Sequence, residues 1–109
     1  MNVDPQKIHA GLLEKGKEAA RTRAYARAQD RMRKQVKARA KIAAINLGNT
    51  AAKAEEMALI DQDYIAACHA AETAEEEAGY AAVEYEAAQA WLDVWRTLES
   101  TKRAEMQLR

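Results

Sequence analysis

The stretch Asn46-Leu47-Gly48-Asn49 decides how this chain of 109 residues folds. Gly48 suits the left-handed residue that follows a helix end, so a helix arriving from the N-terminal side stops here. Upstream, the composition favours helix from Gln6 onward, and Asp4-Pro5 reads as an N-cap followed by proline at the first helical position, where a missing N–H costs nothing. The first helix is therefore expected over about residues 5–47. Gly11 and Gly16 weaken its first turns, and a break near Gly16 fits the pattern.

Downstream, Asn49 or Thr50 can cap a short helix over about residues 51–60. Asp61-Gln62-Asp63 then reads as a further cap, with acid in the first turn of a third helix over about residues 62–107. Gly79 is its one interior residue that disfavours helix, and no alternating strand pattern occurs anywhere. The expected fold class is all-α. A long antiparallel helical hairpin with a short connecting helix forms a single coiled-coil-like domain over 1–109 and assembles into a helical oligomer.

Composition explains why an oligomer is expected. Of the 109 residues, 49% are hydrophobic, but 26 are alanine, which favours helix and buries little apolar area. The lone chain has a thin core. No run approaches the roughly 18 to 20 apolar residues of a membrane span, and the N-terminus lacks the apolar run of a signal peptide. A soluble, intracellular protein is expected, without a membrane role. One cysteine, Cys68, excludes an internal disulfide, and no Cys/His cluster has zinc-ligand spacing.

The balanced charge, 17 basic against 17 acidic residues, conceals an asymmetry. Residues 1–48 carry 12 Lys/Arg and 4 Asp/Glu, whereas residues 49–109 carry 5 and 13. Such a split points to a polyanion partner for the basic half, or to neutralisation of one half by the other.

Helical projection then assigns faces. Counted at 100° per residue from Arg23, the positions Tyr25, Ala28, Met32, Val36, Ala43 and Leu47 fall between about 140° and 240° and read as the buried stripe. Arg23, Arg27, Arg31, Lys34, Lys37 and Lys41 fall between about −40° and 80° and read as an exposed cationic face. Like charges four apart repel, so helix stability alone does not call for this row; a nucleic-acid backbone would relieve it. Tyr25 could stack on a base, but its wheel position places it inside. In the last helix Tyr80, Val83, Ala87, Trp91, Val94 and Leu98 share a face, with Ala90 and Trp95 on its edges. This Trp/Leu patch exceeds what one alanine-rich helix can cover, so Tyr80, Val83, Ala87, Trp91, Val94, Trp95 and Leu98 are expected to join chains.

Catalysis is not expected. The only serine is Ser100, and the adjacent Cys68 and His69 diverge by about 100° on a helix. His69 and Glu72 lie one turn apart ahead of Glu75, Glu76 and Glu77, but the Glu-x-x-His pairs of di-iron bundles are absent, and the acids read as a solvated face rather than a metal site. Phosphate-binding glycine loops are missing, and no cofactor is expected.

Three stretches carry a family resemblance. The opening Met1-Asn2-Val3-Asp4-Pro5-Gln6-Lys7-Ile8, the helix start Asp61-Gln62-Asp63-Tyr64 and the ending from Ala87-Ala88-Gln89-Ala90-Trp91-Leu92 to Met106 resemble small helical proteins from early regions of tailed phages. Residues 64–106 are similar to the closing helices of UvsY-type recombination mediators. This chain is shorter than those mediators, and its basic charge is concentrated in the first helix. The resemblance implies a ring-like helical oligomer that binds single-stranded DNA, helps load a recombinase and displaces single-strand binding protein. It does not itself match the basic residues one by one; they are the DNA contacts on charge alone. The expected function is thus that of a non-enzymatic phage accessory protein. Two other readings stay open at this level: a phage inhibitor of a host nuclease or defence protein, acting by protein or nucleotide capture, and a structural helical adaptor.

Overall fold

A computed structural model of the chain describes residues 4–108; Met1, Asn2 and Val3, which open the phage-like stretch, lie outside the described residues. Three helices account for nearly all of it: α1 over Pro5–Asn46, α2 over Ala51–Leu59 and α3 over Gln62–Leu108. There is no strand among the described residues. The fold is all-α, a long antiparallel helical hairpin with a short connecting helix. α1 continues through Gly16 without the break that its glycines allowed.

The helix ends are built by the side chains that the sequence placed there. Asp4 Oδ1 accepts from the Gln6 amide at 2.9 Å, Thr50 Oγ1 from the Lys53 amide at 3.2 Å, and Asp61 Oδ2 from the Tyr64 amide at 3.0 Å. Each satisfies an amide that has no partner within its own helix. Gly48, at φ 96°, closes α1 in a Schellman arrangement: its amide donates to Ile45 at 2.9 Å, and the Asn49 amide donates to the Ala44 carbonyl at 3.3 Å. The Asn49 side-chain amide adds a second bond to the same carbonyl at 2.9 Å. Asn49 thus ends α1, and Thr50 starts α2.

Packing divides the chain into two compact units, Arg21–Ala78 and a second made of Met1–Ala20 with Gly79–Arg109. In the Arg21–Ala78 unit, α1 and α3 run antiparallel around Ala26, Ala74 and Ala78, while α2 buries Ala54 and Ala58 completely. The covered positions of α3 here, Tyr64, Cys68, Ala71, Ala74 and Ala78, advance by three or four residues, as in a coiled coil. In the other unit Ala81, Tyr85, Ala88, Leu92 and Trp95 continue that spacing. Tyr85 lies directly on Gly16, where an added methyl group would meet its ring at 2.9 Å.

Every buried residue among those described is an alanine: Ala26, Ala44, Ala54, Ala58, Ala74, Ala78 and Ala81. This corrects the face assigned to α1. Tyr25 is 55% exposed, Met32 46% and Leu47 79%, so the stripe read as buried faces outward, with only Ala28 and Val36 half-covered. The buried line instead runs through Ala26 and Ala44, about 60° from Arg23 on the side away from Arg31. Small side chains let helices approach closely, and long basic side chains then flank the seam with their stems against it.

Candidate nucleic-acid interface

All six cations assigned to the basic face lie on α1 within the Arg21–Ala78 unit, and packing divides them into three groups. Three reach acids across the seam. Arg23 Nη1 lies 3.2 Å from Glu75 Oε1 on α3, while Lys37 Nζ and Lys41 Nζ grip the two oxygens of Glu55 on α2 at 2.6 and 3.3 Å. Lys34 stays on its own helix, 3.3 Å from Asp30 one turn earlier. Arg27 and Arg31, further from the seam, are exposed and make no ion pair among the described residues.

The ion pairs leave electrostatic signatures. Lys37 and then Lys41 hold the Glu55 carboxyl below its ordinary range, and Glu55 in return pushes the Lys37 ammonium up. Asp30 accepts from Arg33 Nη2 at 2.7 Å and Nε at 3.2 Å; these bonds, with Lys34, lower its pKa. The Arg33 guanidinium is held upward by Asp30 first and Tyr64 second. Arg33, half-covered near the seam, is thus tied to Asp30 of its own helix by two donors of one planar fork, a geometry that suits arginine better than lysine.

Two further α1 residues join Arg27 and Arg31 on open surface. Arg39, exposed and without an ion pair among the described residues, rims a groove floored by Val36, Ala40 and Ala43 and closed by Asp61 and Asp63. Tyr25 is open because the buried line lies elsewhere; it sits about 120° around α1 from Arg31 and nearer in projection to Arg39. Neither residue was assigned to the basic face from the sequence. The signal that identifies them is the row of alanines at Ala26 and Ala44, which marks the seam more reliably than the larger apolar residues do.

On α3, Tyr80, Val83, Val94 and Leu98 are 58–63% exposed and Trp91 47%, with Ala87 also exposed. Trp91 lines a groove with Ile8 and Leu12 of the same unit. Trp95 is half-covered and lies on the seam side with Ala81 and Ala88. Cys68 is partly covered, and His69 Nδ1 lies 3.9 Å from Glu72 Oε2 on the exposed surface. Among the described residues no group of three or more His, Cys, Asp or Glu is placed to hold a metal ion, and no helix is long and apolar enough to cross a membrane.

Comparison with known proteins gives no neighbour from which to argue: no family model, no curated protein and no solved structure matches the chain.

Proposed function

We propose that this chain is a non-enzymatic, self-associating helical protein that binds single-stranded nucleic acid along the open face of α1. The observation that carries this reading is the set Arg27, Arg31 and Arg39, free of ion pairs among the described residues, on the same helix as an exposed Tyr25. Arginines neutralise phosphates, and an aromatic ring stacks on unpaired bases without regard to sequence. Arg23, Lys34, Lys37 and Lys41 hold acids of the chain and join the interface only by exchanging those acids for phosphates. In the setting that the mediator resemblance implies, the nucleoprotein would assist recombinase loading against single-strand binding protein. Self-association through the exposed α3 stripe supplies the apolar burial that seven alanines do not.

The test is fluorescence anisotropy of a labelled single-stranded oligonucleotide, titrated across a range of salt concentrations with duplex as comparison. Neutralisation by Arg27, Arg31 and Arg39 alone gives a log–log salt slope of about −2, and engagement of six cations a slope of about −4. The double substitution Arg27→Glu with Arg31→Glu breaks no ion pair and lowers affinity at least tenfold while helicity by circular dichroism is kept. Absence of binding at low salt overturns the proposal.

That outcome would favour a second reading, supported by the pairing of Arg23, Lys37 and Lys41 with the chain's own acids. On that reading the basic row holds the hairpin together. The chain is then an adaptor, or an inhibitor that captures a host protein or a nucleotide, with Glu72 and Glu77 exposed on α3 for a basic partner.

A further inference from the structure

The exposed stripe of α3 has a symmetry of its own. Its members Tyr80, Val83, Ala87, Trp91, Val94 and Leu98 follow one another at steps of three, four, four, three and four, so the set is nearly the same read from either end about position 89. Reversed upon itself, Tyr80 comes opposite Leu98, Ala87 opposite Trp91, and Val83 within one position of Val94. The largest side chain of the stripe thus meets its smallest, as knob meets hole in close helix packing.

Charge along the same segment has a direction. From Gly79 to Asp93 the chain carries Glu84, Glu86 and Asp93 and no basic residue. From Val94 to Leu108 it carries Arg96, Lys102 and Arg103 against Glu99 and Glu105. These charges do not choose an orientation about position 89, since an antiparallel copy sets Glu86 beside Asp93 and a parallel copy sets each acid beside its own counterpart; the order of the apolar side chains decides it.

We infer that this stripe is the self-association surface of the protein and that its occupant is the α3 stripe of a second copy, antiparallel about a two-fold axis level with position 89. A two-fold contact uses the same patch twice, and a palindromic patch is what such a contact requires. The area is sufficient. With aromatic side chains carrying about 150–250 Å² each, the six residues cover on the order of 500 Å² per copy, close to the roughly 1,000 Å² total that a specific interface needs. The inference rests on the self-association part of the proposed function and is independent of nucleic-acid binding, so the oligonucleotide titration can fail without touching it.

The test uses two variants of the full chain, Val83→Cys and Val94→Cys, each carrying Cys68→Ala so that no native thiol competes. Under mild oxidation the mixture forms a disulfide between the two variants, and either variant alone remains largely uncrosslinked. A disulfide joining like positions in a single variant, 83 to 83 or 94 to 94, overturns the antiparallel arrangement. Light scattering on Trp91→Glu provides the second measurement. The expected result is a monomeric mass with helical circular dichroism intact; a monomeric mass for the native chain at tens of micromolar, or an oligomer that survives Trp91→Glu, overturns the surface.

Discussion

Gly48 and Glu55 are single residues on which local structure turns. At φ 96° the Gly48 backbone is in the left-handed region, so Gly48→Ala is expected to lower stability by about 1–2 kcal/mol in urea or thermal unfolding. Gly11 is the control, since an added methyl group there meets nothing within 4 Å; Gly11→Ala is expected to raise stability by up to about 1 kcal/mol. Gly16→Ala gains less than Gly11→Ala, or loses, because the Tyr85 ring must give way. Glu55, paired with Lys37 and Lys41, has a depressed pKa, so its stabilisation is present above the ordinary carboxylate range and is lost as pH falls through its folded value. Lys37 behaves in the opposite sense: its raised pKa keeps its contribution below the ordinary lysine value and loses it as pH rises through the folded one. Glu55→Gln is therefore expected to lose less stability than the native chain between neutral pH and pH about 3, measured by thermal melts in matched buffers.

At the scale of a helix, the instructive case is α1. Its large apolar residues lie on one side and its buried alanines on another, and periodicity gave weight to the former. Alanine contributes little to a hydrophobic wheel, yet it is the residue that permits two helices to approach closely along their length. The consequence is measurable in the Arg21–Ala78 unit. Ala74→Leu, at a position 2% exposed, is expected to cost about 1–3 kcal/mol by overpacking. Met32→Ala, 46% exposed, is expected to cost under about 1 kcal/mol against about 2–5 for a buried methionine. Equal costs in chemical denaturation would return the seam to the Tyr25/Met32 face. The capped starts of α2 and α3 were legible residue by residue, because Thr50 and Asp61 act on amides three positions away and need no tertiary partner.

For the whole molecule, charge that is separated along the sequence is mixed by folding. The excess of 8 positive charges over residues 1–48 and of 8 negative charges over 49–109 is redistributed. Arg21–Ala78 holds 10 basic and 9 acidic residues, and Met1–Ala20 with Gly79–Arg109 holds 7 and 8. The antiparallel return of α3 brings its glutamates beside the lysines and arginines of α1, as at Arg23 with Glu75 and Lys15 with Glu84. Both pairs are well exposed, so they set register more than they add stability. Stability is instead expected to come from association. The melting temperature should rise with protein concentration across about a hundredfold range, and Trp91→Glu should flatten that dependence.

By itself the sequence determined what is local among the described residues: three helices, their caps, the left-handed turn at Gly48 and the absence of strands, since each depends on residues within a turn of one another. It also carried the exposed α3 stripe, because a Trp/Val/Leu row on an alanine-rich helix is visible in projection. Only the tertiary structure decided which side of α1 faces inward. With it came the fate of each cation: Arg23, Lys37 and Lys41 bound to acids from other helices, Arg27, Arg31 and Arg39 left open, and Tyr25 exposed on the same helix. The reason is physical. A helix wheel weighs side chains by hydrophobicity, whereas two packed helices choose the faces that let their backbones come close, and in this chain those faces are made of alanine.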